Sequence, residues 1–219
     1  MNDMLKTLPY WEFLTEEEKK RVETEAYVRH YEQGEVLYGP TVECVGMIHV
    51  LRGETRAYIL SDEGREVTLF HVVEADNCIL SASCVLAYIR FESFMVAVEP
   101  SDILIVPVEL FGRLCDENVH VRCFAYELAT TRFSMVMTSM QEILFIRLDR
   151  RLASCLLRMY RKTGDPSIRI TQEQLALEVN SARETVGRLL KKFEDEGMIE
   201  NHRGSILLTD VGKLEKAAS

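Results

Sequence analysis

With 219 residues, 47% hydrophobic and 28% charged, the chain has the make-up of a globular protein able to bury a real core, as one large domain or two modest ones. No apolar run approaches the ~18–20 residues of a membrane span, and the opening MNDMLKTLPYWEF lacks the basic-then-apolar layout of a signal peptide, so a cytoplasmic protein with no membrane partner is expected. The net charge of −9 argues against nucleic acid, but its distribution does not: from Arg147 onward 14 Lys/Arg meet 11 Asp/Glu, whereas 12 meet 24 before it. An acidic body joined to a mildly basic end suits a DNA reader whose positive charge is local.

Residues 11–26 (WEFLTEEEKKRVETEA) read as a short helix, with Thr15 and Glu18 spaced as a capping box. From about 27 to 110 short strand-like runs (VGMIHVLRG, TRAYIL, EVTLFHVV, FMVAVEP, ILIVPV) alternate with turn residues, the texture of a β-sandwich or barrel. Asp62-Glu63-Gly64 between two such runs signals a hairpin.

From roughly Glu117 to Arg147 neither Pro nor Gly occurs, and the apolar spacing becomes helical. Val119, Cys123, Tyr126, Thr130, Phe133, Met137, Met140 and Leu144 alternate by four and three, a heptad seam with one polar member. Val121, Ala125, Leu128, Met135 and Ile143 form a second stripe. A helix apolar on two sides needs two partners: its own barrel and, for the seam from Cys123 to Leu144, the same helix of a second copy. The Met-rich stretch MVMTSM reads as adaptable packing, not a metal box. Arg150–Lys162 is another helix, stopped by Thr163-Gly164-Asp165-Pro166.

The most informative segment is ITQEQLALEVNSARETVGRLLKKFEDEGMIENHRGSILLTD. Thr171 caps a short helix with Leu175 and Ala176 turned inward, and Val179-Asn180 makes a tight turn, since Asn tolerates the left-handed conformation. Ser181 is expected to cap a second helix, with Glu184 completing a capping box. Val186, Leu189, Leu190 and Phe193 of that helix face the core, leaving Arg183, Glu184, Thr185, Gly187 and Arg188 on its exposed first half, where a recognition helix meets base edges. Arg can pair bidentately with guanine and Glu can accept from cytosine. Thr171, Gln172, Ser181 and Thr185 stand at helix starts suited to phosphates, and Gly187 would let the backbone approach the groove. MIENHRGSILL reads as two strands about His202-Arg203-Gly204, a wing whose tip touches the DNA backbone. A charged helix kept only for solubility would explain none of the agreement among caps, turn, spacing and wing.

Ala182-Arg183-Glu184-Thr185-Val186-Gly187-Arg188 closely resembles the recognition helix of the CRP/FNR family, the cyclic-AMP receptor protein and its relatives. The resemblance is specific in the last third of the chain and architectural before it. It implies an α+β fold: an N-terminal cupin-like β-roll of the cyclic-nucleotide-binding type (1–116), a long dimerisation helix (117–147) and a C-terminal winged helix-turn-helix (148–219). It further implies a homodimeric bacterial transcription regulator on palindromic DNA with TGTGA-like half-sites about one turn, ~34 Å, apart. Arg183, Glu184 and Arg188 would then contact bases, and RNA polymerase would be a partner. The hinge would fall near Arg147–Asp149.

The sensor departs from the pattern. Cyclic-nucleotide binders of this family hold the cyclic phosphate with a Gly-Glu pair and a later Arg-Ser/Thr-Ala run. Here those positions read Leu80-Ser81 and Phe91-Glu92, within CILSASCVLAYIRFESFMVAVEP. A carboxylate at 92 would repel a phosphate and would have to be desolvated, while Arg90 is one residue out of place, which in a strand would put it on the opposite face. The expected effector is therefore a small molecule other than cAMP, in a pocket that includes Cys78, Ser81, Ser83, Cys84, Arg90 and Glu92. An N-terminal cysteine cluster for iron–sulfur ligation is missing from the first 43 residues, and His49 and His71 are isolated, which argues against haem.

Six cysteines (44, 78, 84, 115, 123, 155) show no CxxC or zinc-finger spacing and read as buried thiols, with Cys78 and Cys84 as an alternative thiol-redox input. A cupin-like enzyme is the alternative from another class, and it lacks an HxH set, a nucleophile motif and a phosphate loop; a pure ligand-binding module leaves the Arg183–Arg188 helix unexplained.

Overall fold

A computed structural model of the chain describes residues 2–39, 45–79 and 92–218. The chain divides into two compact units, residues 1–65 with 69–137, and residues 138–219 with 66–68.

The first unit opens with α1 (Asn2–Leu5), a single turn of 3-10 helix at Trp11–Phe13, and α2 (Glu16–Glu25). Both halves of the capping box of Thr15 with Glu18 form, so the helix begins at Glu16, five residues later than the expected start at Trp11. Among the described residues eight strands follow: β1 (Tyr27–Tyr31), β2 (Val36–Tyr38), β3 (Met47–Arg52), β4 (Glu54–Leu60), β5 (Glu66–Val73), β6 (Asn77–Cys78), β7 (Phe94–Ala97) and β8 (Ser101–Val106). They form two four-stranded sheets, ordered β1-β8-β3-β6 and β2-β7-β4-β5. Gly53, at φ +92°, carries the chain from β3 in one sheet to β4 in the other; a Cβ there would meet Ser101 Oγ at 2.3 Å, so only glycine fits. The β4–β5 hairpin closes at Ser61–Arg65 with Gly64 left-handed. Between the sheets lie Ile48, Val50, Ala57, Phe70, Val72, Met95 and Ile105.

The expected long helix is a single helix, preceded by a shorter one that the sequence does not announce. α3 (Val108–Glu117) ends at Asn118, whose side chain donates to Phe13 O and Glu18 Oε2 and accepts from His120 N. The extended backbone of Asn118 separates α3 from α4 (Val119–Phe145), a break that neither Gly nor Pro announces. Val121, Ala125 and Leu128 of α4 are buried with Leu5, Tyr10, Trp11, Phe111 and Leu114. Every seam residue from Cys123 through Tyr126, Thr130, Phe133, Met137 and Met140 to Leu144 is exposed.

The second unit contains α5 (Leu148–Thr163), β9 (Ser167–Ile168), α6 (Gln172–Glu178), α7 (Arg183–Asp195), β10 (Ile199–His202), β11 (Ser205–Leu208) and α8 (Val211–Ala218). Gly164 closes α5 in the left-handed conformation. Leu152, Leu156, Leu175, Val186, Leu190, Phe193, Ile206 and Leu214 form its core. The wing is a three-stranded sheet, β10-β11-β9, one strand more than the sequence suggests. Among the described residues no helix is long and apolar enough to cross a membrane.

Candidate nucleic-acid interface

Two helices and a turn position the interface. Thr171 caps α6: Gln174 N donates to Thr171 Oγ1 at 3.1 Å, and Thr171 N donates to Gln174 Oε1 at 2.9 Å. Val179 then ends the helix, Asn180 adopts φ +50°, and Ser181 N returns to Ala176 O at 2.9 Å. That last bond corrects one expectation. Ser181 does not cap α7; tied back to α6, it lies one residue too early, and the cap position is Ala182, with no side-chain cap bond. Thr185 N and Val186 N instead reach the Ala182 carbonyl. The Ser181 hydroxyl therefore has no role in closing the helix, and Ser181 stands half-buried at its mouth.

Buried Val186, Leu190 and Phe193, with half-buried Leu189, anchor α7, so Arg183, Glu184 and Arg188 project into solvent while Thr185 is half-buried, 3.4 Å from an Arg188 terminal nitrogen. Gly187 stands beside α6. A Cβ there would lie 3.3 Å from Gln172 Oε1, so its missing side chain makes room for α6.

Gln172, Glu173, Arg183, Asn201, His202 and Arg203 line an open recess of about 430 Å³ between the starts of α6 and α7 and the wing turn. This brings the predicted Thr171, Gln172, Arg183, His202 and Arg203 onto one surface and adds Glu173 and Asn201, which no motif flagged. The two-residue turn Arg203-Gly204 fits the His202↔Ser205 pairing of a tight hairpin. Charge is distributed unevenly over the unit. Arg183, Glu184 and Arg203 make no ion pair among the described residues, whereas Arg158 pairs with Glu178 at 3.0 Å, Arg161 with Glu215 at 3.1 Å, and Lys191 with Glu194 at 3.0 Å. Arg183 and Arg203 thus stand beside the recess with their charge available to an anion.

The expected effector residues fare differently. Cys78 is fully buried on β6, paired with Ile48 of β3. Ser81, Ser83, Cys84 and Arg90 lie outside the described residues. Glu92 is exposed, which corrects the expectation that its carboxylate must be desolvated: water solvates it. His49 and His71 are sheet residues held by neighbours. His49 Nδ1 is 3.0 Å from Asn77 Oδ1, and His71 Nδ1 is 2.7 Å from Glu54 Oε1. Burial raises the Cys115 and Cys155 thiols to about 11, which keeps both protonated and unreactive at neutral pH. Cys123, in contrast, is exposed. No group of three or more His, Cys, Asp or Glu side chains among the described residues is arranged to hold a metal.

Comparison with known proteins places these features. Residues 150–217 match the Crp-like helix-turn-helix domain. A crystal structure of a Eubacterium rectale protein assigned to the CRP/FNR family of transcriptional regulators superposes with a TM-score of 0.93 at 35% identity, covering 97% of this chain and 99% of that one. The cAMP-activated global transcriptional regulator of Pasteurella multocida is 21% identical over 168 residues, 74% of this chain and 80% of its own length. The global nitrogen regulator of a Nostoc species is 21% identical over 188 residues, 82% of this chain and 83% of its own.

Proposed function

The chain belongs to the CRP/FNR family of transcriptional regulators, and on that footing we propose that it acts as a homodimer that reads a palindrome under the control of an effector bound in the β-roll. The family is one of DNA-binding regulators, not of enzymes. In this reading Arg183, Glu184 and Arg188 contact bases, while Thr171, Gln172, Ser181, Thr185, His202 and Arg203 hold the phosphate backbone. The observation that carries it is the recess beside α7, lined by Arg183 and Arg203, neither of which makes an ion pair among the described residues. The exposed seam on α4 supports the second half: a contiguous row of large apolar side chains is rare on a monomer and marks a protein–protein surface. Domain limits of 1–116, 117–147 and 148–219 follow from this division of labour, and RNA polymerase is the further partner such a regulator serves.

The effector in this proposal is a small molecule other than cAMP, because the positions where cyclic-nucleotide binders carry Gly-Glu and Arg-Ser hold Leu80-Ser81 and Phe91-Glu92. A thiol-redox input through Cys78 and Cys84 is the second reading; it requires oxidant to reach Cys78 in the core of the roll.

Fluorescence anisotropy with a TGTGA-palindrome duplex tests these readings at two salt concentrations, with and without cAMP, and after reduction or oxidation. Specific binding that weakens with salt and ignores cAMP is expected. Binding that follows thiol state and is frozen by Cys78→Ser would replace the organic effector with the redox reading. No preference over random DNA would end the recognition-helix assignment.

A further inference from the structure

The inward stripe of α4 runs Val121, Ala125, Leu128 and then, at the next position of the same rhythm, Arg132. Arginine is an unexpected residue for that row, yet it is 3% exposed, as buried as its apolar neighbours. One terminal guanidinium nitrogen lies 2.7 Å from Asp76 Oδ1 and also donates to the carbonyl oxygen of Asn77. The other is 3.1 Å from Met135 Sδ, and the guanidinium carbon sits 5.0 Å from the centroid of the Phe70 ring. Asn77 N donates to the same Asp76 oxygen at 2.7 Å. The polar line continues away from the helix: His49 Nδ1 meets Asn77 Oδ1 at 3.0 Å, and His49 Nε2 meets Thr7 Oγ1 at 3.0 Å. A single chain of contacts thus links the N-terminal segment, β3, the start of β6 and α4 within the first unit.

An apolar helix face specifies its rotation and register weakly, because one aliphatic side chain replaces another when the helix slides by a turn of 5.4 Å. A buried guanidinium does not have that freedom. Moved away from Asp76 and Asn77 it would be a charge in an apolar core without a partner, the costliest state such a side chain can take. A polar residue in an otherwise apolar stripe is a known means of fixing register at the expense of stability. Phe133 follows Arg132 directly, about 100° further round the helix, so whatever fixes one fixes the direction the other faces. Asp76 and Asn77, for their part, run in sequence through β6 toward the stretch in which the effector is expected.

We propose that Arg132 is a positioning residue: through Asp76 and Asn77 it fixes the rotation of α4 against the β-roll, and so determines which face of the helix is offered to a second copy and at what spacing a dimer reads its two half-sites. This rests on the homodimer reading above. It ties the strand that precedes the effector stretch to the seam by one ion pair and one hydrogen bond, both broken by the same movement.

The test uses the full chain and Arg132→Met, which keeps most of the volume and removes the charge. Asp76 keeps about a third of its side chain in solvent and its bond from Asn77 N, so removing the guanidinium strands no buried charge, and the Tm should stay near wild type while light scattering still gives a dimer. Preference for the palindrome over the same half-sites moved apart by one base pair should fall by roughly 2- to 30-fold, the size of coupling effects carried by residues outside both sites. Asp76→Asn, which strands the guanidinium, should lower the Tm, and adding Arg132→Met to it should restore the Tm. An Arg132→Met protein with unchanged spacing preference would overturn the proposal, whatever its Tm. So would an Asp76→Asn loss that Arg132→Met fails to rescue. A wild-type chain that scatters as a monomer would instead overturn the homodimer reading, and this proposal with it.

Discussion

Val121, Ala125 and Leu128 lie inside the first unit, while Tyr126, Phe133, Met140 and Leu144, on the other side of the same helix, stand in solvent. Both rows are apolar and both follow a four-three rhythm, so hydropathy alone does not separate them. What differs is the supply of partners. The inner row meets Leu5, Tyr10, Phe111 and Leu114 of its own chain; among the described residues nothing covers the outer row. Periodicity counts the faces a helix must cover, and the fold decides which of them the chain covers itself. The same distinction applies to charge: Arg161 and Lys191 have partners in the chain, and Arg183 and Arg203 make no ion pair among the described residues.

Changing each face of the helix in turn should have the largest effects. Phe133→Asp combined with Met140→Asp should leave the monomer's Tm near wild type, abolish the dimer in light scattering, and lower affinity for a palindromic duplex by roughly 10²–10⁴-fold as the second half-site is lost. Leu128→Ala should do the opposite, costing about 2–5 kcal/mol of stability in denaturant unfolding. A large Tm loss from the Asp pair would mean that the outer face is covered within the monomer.

The charge contrast predicts a smaller effect. Arg183→Ala should cost about 1–3 kcal/mol on the palindrome and relax preference at one base pair, whereas Arg161→Ala, whose partner is Glu215, should change affinity little. Titrations of specific and random duplexes separate the two roles: an equal loss on both DNAs would make Arg183 a phosphate contact only.

The reader was legible because its signals are local. Thr171 and Gln174, the left-handed Asn180, and Gly204 in the wing turn each act within a few residues of sequence. Even there one contact reached further: the bond from Ser181 N to Ala176 O delays the start of α7 and cancels the expected cap. The roll was legible as strands and turns, but not as a site. Arg132 is ordinary in sequence and becomes singular only when Asp76, more than fifty residues earlier, arrives beside it. Glu92 took its expected burial from an alignment of motifs, and the fold leaves it exposed. The break at Asn118 depends on Phe13 and Glu18, about a hundred residues away.

The smallest effect concerns protons and sets a partnered histidine in the core against one at the surface. Burial is the main influence on His49 and holds its pKa below the usual imidazole value, with the Asn77 hydrogen bond and the Asp76 charge opposing it. For His30 the side-chain bond to Asp102, at 2.7 Å, dominates and raises the pKa. The signs are therefore opposite. Between its folded and unfolded pKa values His49 carries fewer protons in the folded chain, so its contribution is complete above about pH 6.5 and is lost as the pH falls below it. His30 binds more protons when folded, so its contribution is present below about pH 6.5 and is lost as the pH rises through its raised value. Relative to wild type, His49→Gln should therefore flatten the decline of Tm on acidification, and His30→Gln should steepen it by less, since that ring is bathed in solvent. Difference curves against wild type cancel the carboxylates common to all three proteins. If His49→Gln leaves the acid limb unchanged, the ring is not buried as a neutral group, and the polar line from Thr7 to Arg132 does not pass through it in that form.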